Sequence, residues 1–139
     1  MNILIVEARY HPDVADALVD GASAALEKGG ARFERISMPG VLEVPAAIAI
    51  AVRSSKPFDG YVALGSVTGP AHIADMFYVE TMHGLMLLGA GGIALGNGIV
   101  LAGDEGAAHD IATTQDVGGD AARACLALVT FGQRLSLLR

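Results

Sequence analysis

Short apolar runs alternate with stretches of helical period along the whole chain, and that alternation limits the fold more than any other feature. Residues 2–6 form a leucine and β-branched run of the kind that makes a strand buried on both faces. His11-Pro12-Asp13 is a helix-start signal, with Pro near the first turn and an acidic residue at the positive helix end. Val14, Leu18, Ala22 and Ala25 then recur at helical spacing until Gly29-Gly30 stops the pattern. Residues 33–38 read as a second strand, Pro39-Gly40 as a turn, and residues 46–53 as a second helix with Pro45 in its first turn.

Residues 61–64 read as a third strand, followed by a loop of small residues over 65–71. A helix over about 73–88 is expected to bury Met76, Val79, Met82 and Met86. Residues 93–100 read as a fourth strand. After a polar stretch, Gly118-Gly119-Asp120 opens a last helix with Ala121, Ala124, Leu128, Phe131 and Leu135 along one face. The pattern predicts an α/β chain with a four-stranded parallel sheet, helices on both faces and right-handed crossovers. Its 139 residues are expected to form a single domain over 1–139.

Composition narrows the function classes. Only 17% of residues are charged while 53% are hydrophobic, so the chain carries few solvating groups for its size, and part of its surface is expected to be covered by copies of itself. A net charge of -6 argues against nucleic acid or an anionic membrane as partner and leaves small molecules. The lone cysteine, Cys125, forms no intrachain disulfide and reads as a small buried hydrophobe. The start of the chain lacks the pattern of a signal peptide, so the cytoplasm is the expected compartment. Residues 84–103 hold no charge and approach the length of a membrane span, but seven glycines divide them into a helix end, a turn at Gly91-Gly92 and a buried strand.

In parallel sheets of this kind ligands sit beyond the carboxyl ends of the strands. Those ends are residues 7–10, 39–43, 65–72 and 101–105, where the unusual residues also fall. Taken together, EARY at 7, MPGVLEVPAAIA at 38, YVALGSV at 61 and GGDAARACLAL at 118 resemble the lumazine synthase family of riboflavin biosynthesis, in order and nearly end to end.

The resemblance implies a three-layer αβα, flavodoxin-like fold assembling as a homopentamer or stacked pentamers, with sites between subunits. It implies a transferase that condenses 5-amino-6-(ribitylamino)uracil with 3,4-dihydroxy-2-butanone 4-phosphate, giving 6,7-dimethyl-8-ribityllumazine without metal or organic cofactor. By position, Tyr10 would stack on the pyrimidine. Gly40, Val41 and Leu42 would offer backbone groups to the heterocycle and ribityl chain, and Glu43 would accept from ribityl hydroxyls. Ser66, Val67 and Thr68 would read the uracil edge, and His72 would shuttle protons as the catalytic histidine.

The chain departs from the family where phosphate is held. Only Thr68-Gly69-Pro70-Ala71-His72 stands in place of the phosphate loop, Val117 stands where a lysine is found, and no Lys or Arg occurs between Lys56 and Arg123. That gap leaves a second reading open, a paralogue that assembles as a pentamer and binds flavin or lumazine without turnover.

Overall fold

In the computed structural model, which describes residues 1–56 and 58–137, strands and helices alternate as β1 (Asn2–Ala8), α1 (Pro12–Lys28), β2 (Arg32–Met38), α2 (Glu43–Val52), β3 (Gly60–Val67), α3 (Ala71–Ala90), β4 (Leu95–Leu101), α4 (Glu105–Thr114) and α5 (Val117–Leu137). The four strands form one parallel sheet in the order β2-β1-β3-β4. Every residue of β3 is buried, whereas the edge strand β2 is largely exposed, as its mixed sequence RFERISM requires. The layers and strand order give the three-layer αβα, flavodoxin-like arrangement.

Two cores lie on opposite faces of the sheet. Ile3 and Ile5 of β1 meet Leu18, Ala22 and Leu26 of α1, Ala108 and Ala112 of α4, and Ala121, Cys125 and Val129 of α5. Leu4 and Val6 point the other way, onto Val44 and Ile48 of α2 and Ala74 and Leu85 of α3. The period of two along β1 thus feeds both cores from one continuous apolar run.

Several expectations need correction. The polar stretch before the last helix contains α4, capped by Asp104, whose side chain accepts from Ala107 N at 2.8 Å. Gly118 and Gly119 lie inside α5 rather than before it. Their use is close approach: a Cβ at Gly118 would stand 1.9 Å from Leu18 O on α1, and one at Gly96 of β4 would stand 1.8 Å from Ala121 O on α5. β4 begins at Leu95, two residues later than its apolar run, because Gly92 at φ 92° turns the chain out of α3 first.

The largest correction concerns the apolar faces of α3 and α5. Met76, Val79 and Met86 are exposed and only Met82 packs against the core, so the face expected to be buried is in fact open. Ala124, Leu128, Phe131 and Leu135 of α5 are likewise exposed. Helical period shows that a face is apolar and does not show what covers it. No helix among the described residues is long and apolar enough to cross a membrane.

Candidate functional site

The chain moves from β1 outward to β2 and then returns past β1 to β3, so α1 and α2 leave on opposite faces of the sheet. Such a reversal opens a crevice at the carboxyl ends of the two central strands. Here that crevice is a cleft of about 340 Å³ lined by Tyr10, Gly40, Val41, Leu42, Glu43, Ser66, Val67, Thr68 and Phe77. Its volume suits a small organic ligand.

Val41 and Val67 belong to the core on the α2 and α3 side, so the apolar part of the cleft is continuous with packed interior. Tyr10 is 70% exposed, its ring standing edge-on to His11 with centroids 4.8 Å apart. The turn from Gly40 is closed by Glu43 N donating to Gly40 O at 3.3 Å and Val44 N donating to Val41 O at 3.2 Å. That turn makes Glu43 the first residue of α2, where the positive end of the helix favours its carboxylate. Ser66 is buried at the end of β3, and Ala102 N binds Val67 O at 3.0 Å, pinning the strand exit.

Eight of the nine residues singled out from the sequence meet in this cleft. His72 does not: it is exposed in the first turn of α3 and outside the lining. His83 and His109 are exposed on α3 and α4, and among the described residues no group of three or more His, Cys, Asp or Glu could hold a metal ion. Val117 is half-buried against the core on the α1 side.

The cations near the start of the chain are engaged elsewhere. Glu7 is fully buried at the end of β1, and Arg9 Nη1 binds its Oε1 at 2.5 Å and Asp16 Oδ1 at 2.9 Å. Arg35 binds the same Oε1 at 3.0 Å and sets its Nε against Oε2 as an ionic neighbour without an aligned hydrogen bond. The hydrogen bond from Arg9 holds Asp16 below the usual carboxylate range, and the bonds to Glu7 push both arginines up. Arg123 is exposed and bound to Asp120 at 2.6 Å and Asp116 at 2.9 Å, which raise its pKa in that order. The cleft therefore carries one carboxylate, Glu43, and no Lys or Arg in its lining.

Three residues of this region escape a reading of the sequence. Phe77, one turn beyond Ile73, looks like helix interior but lines the cleft. His11 looks like a helix-start residue, yet its Nε2 lies 2.8 Å from Thr68 Oγ1 and its Nδ1 lies 3.5 Å from Glu105 Oε2. Glu105, the first residue of α4, lies within the fourth strand-end stretch of the sequence, and position alone is its signal.

Fold and cleft together define a flavodoxin-like α/β protein with a small-molecule crevice at the sheet's carboxyl edge. The family model for 6,7-dimethyl-8-ribityllumazine synthase matches residues 1–133. The chain is 44% identical to 6,7-dimethyl-8-ribityllumazine synthase 1 of Rhizobium meliloti, over 97% of this chain and 94% of that protein. It is 43% identical to the 6,7-dimethyl-8-ribityllumazine synthase of Novosphingobium aromaticivorans, over 97% and 99%, and 41% identical to that of Sphingopyxis alaskensis, over 98% of each. The chain belongs to the 6,7-dimethyl-8-ribityllumazine synthase family.

Proposed function

We propose that this protein condenses 5-amino-6-(ribitylamino)uracil with 3,4-dihydroxy-2-butanone 4-phosphate to give 6,7-dimethyl-8-ribityllumazine, releasing phosphate and water. The observation that carries the reading is the gathering of Tyr10, the Gly40 to Glu43 turn and the Ser66 to Thr68 strand end into one cleft, in a chain of this family. In this reading the Tyr10 ring stacks on the pyrimidine, with Phe77 completing an aromatic wall. Glu43 accepts from the ribityl hydroxyls, a task that suits an ionised carboxylate with several acceptor sites. Backbone groups of Ser66, Val67 and Thr68 read the uracil edge. His72, on the first turn of α3, is the histidine that the family resemblance offers for proton transfer.

The assembly we propose is a homopentamer, working in the cytoplasm. Support comes from the apolar residues left open on α3 and α5: Met76, Val79, Met86 and Leu87 on one, Leu128, Phe131 and Leu135 on the other. Some of these line a groove of about 530 Å³ between the end of α3, β4 and α5. Monomers seldom leave so many large apolar side chains in water on neighbouring helices. The cleft lining of one chain offers the phosphate end of the butanone substrate no guanidinium or ammonium partner.

A steady-state assay with both substrates, following lumazine absorbance, tests the activity. Product should form faster than in the uncatalysed mixture; a rate equal to that background would remove the enzymatic reading.

A further inference from the structure

We propose that His11, set between Glu105 and Thr68, is the positioning residue that makes the Thr68 hydroxyl a proton carrier in the cleft, a role resting on the synthase reading above. The groups come from three different elements. His11 is the residue before α1, extended at φ -115° and ψ 97°, and its side chain makes no cap to its own helix. Instead the ring reaches the end of β3, with Nε2 2.8 Å from Thr68 Oγ1, and turns its other nitrogen to Glu105 at the start of α4. The Asp104 cap fixes where α4 begins and so where Glu105 stands. The ring is well covered, with 15% of its side chain exposed, while Glu105 is half open to water.

The order of groups favours one set of proton positions. A carboxylate can only accept, so a neutral imidazole facing Glu105 carries its hydrogen on Nδ1, leaving Nε2 as the acceptor. In that tautomer the Thr68 hydroxyl donates to Nε2 and keeps its lone pairs for a donor in the cleft, which Thr68 lines. At 3.5 Å the Glu105 contact is longer than a good hydrogen bond, and the carboxylate acts as a nearby negative charge that favours the hydrogen on Nδ1.

A condensation of an amine with a ketone needs such a carrier. Once the amine has added to the carbonyl, the carbinolamine nitrogen gives its proton to Thr68 Oγ1 as the hydroxyl's own proton passes to His11 Nε2, and Glu105 faces the resulting imidazolium. The return of that proton through Thr68 to the departing hydroxyl releases water as the C=N bond forms. One proton leaves nitrogen and one arrives on oxygen, so the step balances without a further reactant.

The test separates proton transfer from simple fastening of three loops. His11→Gln keeps a side-chain amide that can bind Thr68 but cannot carry a proton, and His11→Ala opens room for added imidazole. Both should lower kcat by about 100-fold with KM nearly unchanged, and millimolar imidazole should restore part of the rate to His11→Ala alone. Thr68→Ser should keep most of the rate and Thr68→Val should lose it. Full kcat in His11→Gln, or a loss confined to His72→Ala, would overturn the proposal. Nitrogen NMR of the unliganded parent reads the same arrangement without activity: a neutral ring should be protonated on Nδ1, and a proton on Nε2 would overturn it. A parent that makes no lumazine yet shows the Nδ1 tautomer would sink the synthase reading and leave the geometry standing. Circular dichroism of each variant identifies any that fail to fold, and the NMR measurement on the parent then decides.

Discussion

The two faces of the sheet are covered to different depths. On one, α1, α4 and α5 pack closely enough that Gly96 and Gly118 leave no space for a Cβ, and the core runs without interruption from Ile3 to Val129. On the other, the twenty residues of α3 bury only Ala74, Thr81 and Leu85, and the cleft opens beside the helix. The first face is closed against the sheet within the chain, and only the outer side of α5, with Leu128, Phe131 and Leu135, stays open. The second is left to substrate and, in the assembly proposed, to another subunit, so stability and function draw on different layers of one small fold.

Gly96→Val attacks the finished face and should have the largest effect. Its side chain would need the space held by the Ala121 carbonyl, so stability should fall by about 3 kcal/mol or more in urea unfolding. A loss under about 1 kcal/mol would mean that α5 can lift from the sheet without cost, and the contrast between faces would fail.

Glu43→Ala attacks the open face at the cleft. Loss of a charge-assisted acceptor worth about 1.5 to 3 kcal/mol should weaken binding of the ribitylamino-uracil roughly tenfold to a hundredfold in calorimetry. Stability should hardly move, because Glu43 is exposed. Unchanged affinity would take the polyol away from this residue.

Polar replacement of the open apolar stripe should change assembly more than folding. Met86→Ser with Phe131→Ser should shift sedimentation toward smaller species while the isolated chain's stability stays within about 0.5 kcal/mol per site, since both side chains are more than half exposed. Equal sedimentation before and after would show that neither side chain is part of a subunit interface.

The smallest effect is a slope with pH. Burial pushes the Cys125 thiol up to about 12, and desolvation also raises Tyr61. A group whose pKa is raised on folding adds stability below its unfolded value, and that stability fades as pH rises through the interval up to the folded one. Stability should therefore decline above about pH 9, where the unfolded thiol begins to ionise, and Cys125→Ala should make the decline shallower. An identical slope in the variant would assign the loss to other groups.

Legibility in the sequence follows the same division. The strands of the finished core were plain because β-branched runs buried on both faces have few other readings, as residues 2–6 illustrate. α4 carries no legible pattern because EGAAHDIATT buries only Ala108 and Ala112, too little for a hydrophobic period. Met76, Val79 and Met86 read as core and are open, because an apolar helix face looks the same whether a sheet or a second chain covers it. In the cleft, turn chemistry at Pro39-Gly40 and the strand end at Ser66 marked most of the lining. His11 and Glu105 carry no local pattern. Only the fold brings His11 to Thr68, 57 positions further along the chain, and to Glu105 beyond it.

The most direct test of the central claim is a crystal structure with the ribitylamino-uracil bound. Density is expected for the heterocycle against Tyr10 and Phe77, with the ribityl chain running to Glu43. Density that instead occupies the acidic hollow formed by Asp13, Asp16, Asp20 and Asp116 on the α1 side, with the cleft empty, would contradict it.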